Sequence, residues 1–312
     1  MPMIANDSSL EVSLHNSQLI PLAIFATAVC ILGILGNALV IYSSIRYNAI
    51  EMDKVSLLFV QSLAVADFLY VFSNVLPSAV SYILRRYVMG KVYCFISAQT
   101  SFTYAQVNTV TVLTITAYRL RIIWRPLQKV SYSVAKIVAA LIWIIASTTT
   151  IICLVYKSES VFSQKSAKCF STIYIHKEKA AAVLFRITFG TCIVIPLIAI
   201  VFINVILFTI SSRSVQKIKR STGNEGSKAR ALTTVCALSS AFVISWTPHF
   251  IFLIWKGVNP DPPFVVEQVG ITCIMINSFC NPILYTLTNK RFGSFVWRLM
   301  SHIVPERYRR PN

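Results

Sequence analysis

Two charged side chains stand where charge is costly. Asp67 lies inside an apolar run over 56–83, and Arg119 closes another over 94–118, within Tyr118-Arg119-Leu120. A lone carboxylate in hydrocarbon must be protonated or hold a cation. A guanidinium at the edge of a membrane span must snorkel or pair, so it reads as functional by default. Arg119 follows Cys94 by 25 residues, about 37 Å of helix at roughly 1.5 Å per residue, which is enough to cross a bilayer with some tilt. Asn37, Asn108, Asn277 and Asn281 place amide groups inside other apolar runs. The histidines His15, His176, His249 and His302 are dispersed, and none shares a span or loop with a Ser/Asp or Cys partner at catalytic spacing. The eight cysteines show no metal-type CxxC spacing. No enzyme is expected.

The elements that position these groups follow from hydropathy. The chain has 312 residues, of which 55% are hydrophobic and only 13% charged, too little charge to cover a soluble domain of this size. Its apolar runs are roughly 20–46, 56–83, 94–118, 134–156, 180–210, 232–255 and 265–288, each near or above the roughly 20 residues that span a hydrocarbon core. None alternates like a membrane β-barrel strand, so helices are the spanning option. An all-α membrane protein is expected: a seven-transmembrane helix bundle over 20–289, an amino-terminal segment over 1–19, and a tail over 290–312. In that tail, apolar residues recur at helical spacing between basic ones from Lys290 to Met300, which suits a short amphipathic eighth helix on a membrane surface. No cysteine follows to carry a palmitoyl anchor.

Lysine and arginine set the expected orientation. With the amino terminus outside, the inner segments hold 19 of the 29 basic residues, including Arg46, Lys54, Arg121, Arg125 and the cluster Arg213–Arg230. The inner face then carries about +15 and the outer about +4, which predicts a multi-pass plasma-membrane protein with an extracellular amino terminus. The net charge of +18 is concentrated beside membrane ends, where anionic lipid rather than nucleic acid is the simpler partner. The first run lacks a preceding basic region and reads as a signal-anchor. Asn6-Asp7-Ser8 is a glycosylation acceptor on the outer side. Six cysteines lie inside spans as small apolar residues. Cys94 and Cys169 fall instead at outer loop–helix junctions, in an oxidising compartment. A disulfide between them, pinning the loop over the bundle, is expected over two free thiols.

These landmarks resemble the rhodopsin-like G-protein-coupled receptors over residues 20–301. The resemblance rests on Gly36-Asn37-x-x-Val40, Leu63-Ala-Val-Ala-Asp67, Cys94 at its spacing before Arg119, and Arg125-Pro126-Leu127. It continues in Trp143, Pro196, Phe242-x-x-x-Trp246-Thr247-Pro248, Asn277-Ser278 and Asn281-Pro282-Ile283-Leu284-Tyr285. It implies a receptor that passes binding of an extracellular ligand to a heterotrimeric G protein. It further implies that Asp67, Asn108, Asn277 and Asn281 form a pocket for a sodium ion, with no other cofactor; the plainer reading is a polar network joining helices. Phe242, Trp246, Pro248, Asn281, Pro282, Tyr285 and Arg119 are the implied activation switch. Pro248 and Pro282 each remove a backbone hydrogen bond and bend a helix, so one end can swing while the other holds a ligand.

The chain departs from the family pattern at the inner end. Tyr118 replaces the acid that usually restrains the arginine, and Lys228 at the foot of the sixth span cannot pair with it either. Arg119 is therefore expected without an acidic partner. Asn204 replaces the tyrosine that often meets Tyr285 in the active state. These changes open a second reading, a non-signalling decoy or partner receptor; a transporter is a more distant third, since no chain of charges forms a path.

The ligand is less defined. Ser101 stands where aminergic members carry aspartate, and Met275 where opsins carry lysine, which disfavours amines and retinal. The candidate pocket is Ser101, Phe102, Ala105, Gln106, Phe189, His249, Phe250, Leu253, Glu267 and Ile271. Its aromatic and apolar character is that of small-molecule sites; for each residue alone, helix packing is the competing explanation. A basic rim that includes Lys165, Lys168 and Lys256 suits a peptide, or an acidic lipid or metabolite.

Overall fold

In the computed structural model, the described residues are 11–12, 14–46, 52–125, 127–128, 130–156, 159–171, 179–222, 227–259 and 262–303. They form eight helices and one hairpin. Helix α1 is Asn16–Arg46. Helix α2 runs as Lys54–Tyr70, a π turn Val71–Val75, and Leu76–Leu84. Helix α3 is Gly90–Trp124 and α4 is Tyr132–Val155. Strands β1 (Ser160–Ser163) and β2 (Lys168–Ser171) pair antiparallel, with Phe162 opposite Cys169. Helix α5 runs as Lys179–Phe189, a π turn Gly190–Val194, and Ile195–Thr222. Helices α6 (Ser227–Val258), α7 (Phe264–Thr288) and α8 (Lys290–Ile303) complete the chain. Asn6 lies outside the described residues.

The helix ends and bends have local causes. Asp53 caps α2 by accepting from the Ser56 N–H at 3.0 Å, and Ser131 caps α4 by accepting from the Val134 N–H at 3.3 Å. Each π turn stands just ahead of a proline, Pro77 in α2 and Pro196 in α5. A widened turn absorbs the hydrogen bond the imino ring cannot make. Close helix approaches need glycine: a Cβ on Gly33 would meet Val71 of α2 at 2.8 Å, and one on Gly36 would meet Pro282 of α7 at 3.0 Å.

Among the described residues, six helices, α1, α2 and α4–α7, are long and apolar enough to cross a membrane. Helix α3, read from the sequence as another apolar span, is long enough but less apolar. It has 35 residues and packs against α2, α4, α5, α6 and the hairpin, so many of its polar side chains are turned into the bundle rather than toward lipid. Gln106 Nε2 donates to Thr149 Oγ1 of α4 at 2.7 Å, and Thr103 and Thr150 share a hydrogen bond at the same distance. Trp143 of α4 donates to Ser62 Oγ of α2 at 3.0 Å. The outward faces of the other helices are apolar, with Ile24, Leu35, Ile144, Ile198, Ile251 and Ile254 all exposed, the pattern expected where lipid is the solvent.

Candidate functional site

The hairpin is held down over the bundle. Cys94, in the first turns of α3, is disulfide-bonded to Cys169 of β2 with their Cα atoms 5.4 Å apart. Tyr82 of α2 donates to the Ser166 carbonyl at 2.8 Å, and Gln268 Nε2 of α7 reaches the Lys165 carbonyl at 2.5 Å. The amino-terminal segment packs nearby, with the Val12 N–H donating to the Arg85 carbonyl at 2.8 Å.

Beneath the hairpin is a cavity. Lys168, Cys169, Phe170 and Ser171 form its cover, while Tyr70, Ser101, Phe102, Ala105, Phe189, Trp246, His249, Leu253 and Lys256 form its walls. It runs down to Asp67, Asn108 and Asn277. Six of the ten residues expected at the ligand therefore line one space: Ser101, Phe102, Ala105, Phe189, His249 and Leu253. Phe250 lines an adjoining groove between α5 and α6 instead. Gln106, Glu267 and Ile271 line neither. Gln106 is turned to α4 by Thr149, Ile271 is packed into the core, and Glu267 accepts a short hydrogen bond from Ser163 of the hairpin.

Lys168 and Lys256 enter the cavity, although the sequence reading placed them only on its rim. Lys168 is 5% exposed, and its Nζ donates to the Tyr70 hydroxyl at 2.9 Å. Burial, together with the nearby Lys256 charge, pushes its ammonium pKa down to about 7. Lys256 Nζ stands 3.6 Å over the Phe170 ring. The signal for Lys168 was its adjacency to Cys169, since a disulfide that draws Cys169 under the hairpin draws its neighbour with it. Tyr70 and Phe170 carried no such signal.

The polar centre below is compact. Asp67 is fully buried and accepts from Asn108 Nδ2 at 2.8 Å and Asn281 Nδ2 at 2.7 Å. Ser245 Oγ of α6 donates to Asn277 Oδ1 at 3.1 Å, and Asn37 Nδ2 of α1 donates to the Ser278 carbonyl at 2.7 Å. The Oδ1 atoms of Asn108 and Asn37 have no hydrogen-bond partner among the described residues. Between this centre and the ligand walls, the Trp246 ring packs on Phe242 at 5.5 Å and on His249 at 5.7 Å, two residues before Pro248.

At the end of the bundle away from the hairpin the expectation fails. Arg119 does have an acidic partner: its Nη2 lies 3.2 Å from Asp53 Oδ2. The partner comes from the N-cap of α2, and Tyr118 approaches the same carboxylate. Burial opposes ionisation of Asp53, but the Ser56 hydrogen bonds and the Arg119 charge outweigh it and hold the carboxyl below its usual range. Asn204 Oδ1 accepts from Ser239 Oγ of α6 at 2.6 Å. The Tyr285 hydroxyl is buried with no hydrogen-bond partner among the described residues, its ring edge-on to Phe292 of α8.

Comparison with solved structures places this architecture. The crystal structure of squid rhodopsin superposes with a TM-score of 0.74 over 95% of this chain and 93% of that one, at 17% identity, a likeness of fold. The family profile "7 transmembrane receptor (rhodopsin family)" matches residues 36–285, a stretch that holds Asp67, the Cys94–Cys169 bridge, Arg119, Trp246 and Tyr285. The chain belongs to the rhodopsin family of seven-transmembrane receptors, and is a receptor rather than an enzyme.

Proposed function

We propose that this receptor takes an extracellular ligand in the cavity beneath the hairpin and passes the event to a heterotrimeric G protein at the Arg119 end. The observation that carries the reading is a continuous path of packed elements from the cavity to Arg119. The walls of the cavity end on Trp246 and His249, which share α6 with the Pro248 bend, and α3 links the cavity at Ser101 to Arg119 about 27 Å away at roughly 1.5 Å per residue. A ligand that packs better when α6 is swung out shifts the population toward that state. Opening the inner end then exposes Arg119 once it leaves Asp53.

This reading places the amino terminus outside and the basic inner loops against anionic lipid. Asn6 is a glycosylation acceptor in that arrangement. Helix α8 lies on the inner leaflet, with Phe292 buried and basic residues directed to headgroups. The set around Asp67 suits a sodium ion. The carboxylate is buried with no cationic partner among the described residues, and the unpaired Asn108 oxygen adds a neutral ligand of the hard type such an ion prefers. Bound there, the ion would supply charge balance to Asp67, with Asn277 and Asn281 completing the polar wall, and would favour the resting packing.

A decoy receptor of the same fold is the second reading. The Tyr285 hydroxyl, without a hydrogen-bond partner among the described residues, and Asn204, engaged by Ser239, favour it. A G-protein dissociation assay across the main G-protein classes, at verified surface expression, separates the two. Coupling that depends on Arg119 supports a signalling receptor; silence in every class supports the decoy.

A further inference from the structure

The cavity beneath the hairpin and the groove between α5 and α6 adjoin. Phe102, Phe189, Leu253 and Lys256 line both. The two parts differ in size and chemistry. The space under the hairpin is small, ≈ 50 Å³, and its cover and upper walls present Lys168 and Lys256. The groove is larger, ≈ 430 Å³, within the roughly 300–1,000 Å³ of small-molecule sites. It is lined by Leu197, Ile198, Ile251 and Ile254 among others, and Ile198, Ile251 and Ile254 are exposed on the lipid-facing side of the bundle.

Lys168 has no acidic partner among the described residues. Lys168 makes one hydrogen bond among the described residues, to neutral Tyr70, although an ammonium carries three donors. The nearest candidate acids are engaged elsewhere: Asp67 by Asn108 and Asn281, and Glu267 by Ser163. A buried ammonium without an acid is costly unless a ligand completes it. A compact anion at Lys168 and Lys256, with an apolar chain leaving past Phe102 and Phe189 into the groove, satisfies both parts at once.

We propose that the ligand is a long-chain carboxylate, its head held by Lys168 and Lys256 beneath the hairpin and its tail lying between α5 and α6. This rests on the receptor reading above and narrows it to a ligand class. The small upper space admits a carboxylate more readily than a bulky headgroup, and the opening beside exposed isoleucines lets the tail enter from the bilayer.

The test uses the full-length receptor purified into lipid nanodiscs, with sodium oleate as the probe. Oleate should raise the Tm of the wild type, whereas oleic acid methyl ester, which lacks the charge, and butyrate, which lacks the tail, should not. K168Q should weaken apparent oleate affinity at least tenfold, and L197W, which fills the groove, should weaken oleate more than it weakens an eight-carbon carboxylate. Where K168Q fails to fold, a chain-length series from four to eighteen carbons on the wild type replaces it, with affinity expected to rise with length. Equal stabilisation by the methyl ester, unchanged affinity in a folded K168Q, no dependence on chain length, or tighter binding of an eighteen-carbon lysophosphatidate would each overturn the proposal. G-protein dissociation, read in parallel, separates the two claims. Oleate binding without coupling upholds the ligand class and removes the signalling reading; coupling driven by uncharged ligands, with no oleate binding, does the reverse.

Discussion

Arg119 of α3 is paired across the bundle with Asp53, the N-cap of α2, at 3.2 Å. The contact brings opposite charges together without the alignment of a hydrogen bond: neither Nε nor Nη2 of Arg119 has a hydrogen-bond partner among the described residues. Asp53 is 37% exposed and Arg119 11%, so water screens the pair on one side. Such pairs are worth about 0.2–1 kcal/mol, enough to bias a resting state without locking it.

Loss of that charge should raise ligand-independent signalling. Asp53→Asn is the informative change, because asparagine keeps the cap on Ser56 and removes only the charge. Basal G-protein dissociation should rise by up to about fivefold, the ratio that corresponds to about 1 kcal/mol. Tyr118→Asp, which puts a second acid beside the arginine, should lower it. Basal activity in Asp53→Asn equal to wild type at matched surface expression would mean that the pair does not restrain the switch.

The Cys94–Cys169 bond fixes the cover of the cavity, and Lys168 with it. Cys94→Ser and Cys169→Ser should each reduce surface expression and ligand binding, and the double variant should be no worse than either single one. Additive losses would show that the two thiols act separately.

How legible these parts were in the sequence depends on the range of the interaction. The helices and the inward placement of Asp67 follow from hydropathy and the high cost of buried charge. The polar nature of α3 was underestimated, because run length says nothing of which helix ends up surrounded by the others. Arg119 illustrates the limit best. Its sequence neighbour is Tyr118 rather than an acid, while its partner comes from a different helix cap that only the packing of α2 against α3 brings near. Glu267 shows the converse. It lies near the rim as expected, but the hairpin supplies Ser163, and the carboxylate turns away from the cavity.

Sodium should oppose agonist binding if the ion stabilises the resting bundle at Asp67. Raising sodium at constant ionic strength should weaken agonist affinity in the wild type, and Asp67→Asn should abolish the dependence, because an amide neither needs nor attracts the charge. Radioligand competition in sodium against N-methyl-glucamine buffers reads this directly. Persistence of the sodium effect in the mutant would leave Asp67 as a structural residue held by Asn108 and Asn281.

The final prediction concerns pH and Lys168. Its ammonium has an ordinary pKa near 10.5, pushed down to about 7 by burial and by Lys256. The ionisable groups around it are Tyr70 from α2 and Lys256 and His249 from α6, with Asp67 deeper and already hydrogen-bonded. A carboxylate dissolved in water is ionised throughout the neutral range, so with a water-soluble eight-carbon carboxylate as probe the lysine carries the titration. Below about pH 7 the free receptor presents the cation, and anion affinity should be near its maximum. Above it, each molecule of ligand must bring a proton to Lys168, so the dissociation constant should climb toward a tenfold rise per pH unit. Octanoate affinity should therefore fall between pH 6.5 and 8.5. K168Q should be weaker throughout and nearly flat over the same range. A wild-type profile as flat as that of the mutant would mean that Lys168 keeps its charge in the free receptor, or that the anion binds elsewhere; a retained dependence in K168Q would assign the titration to His249 or Lys256.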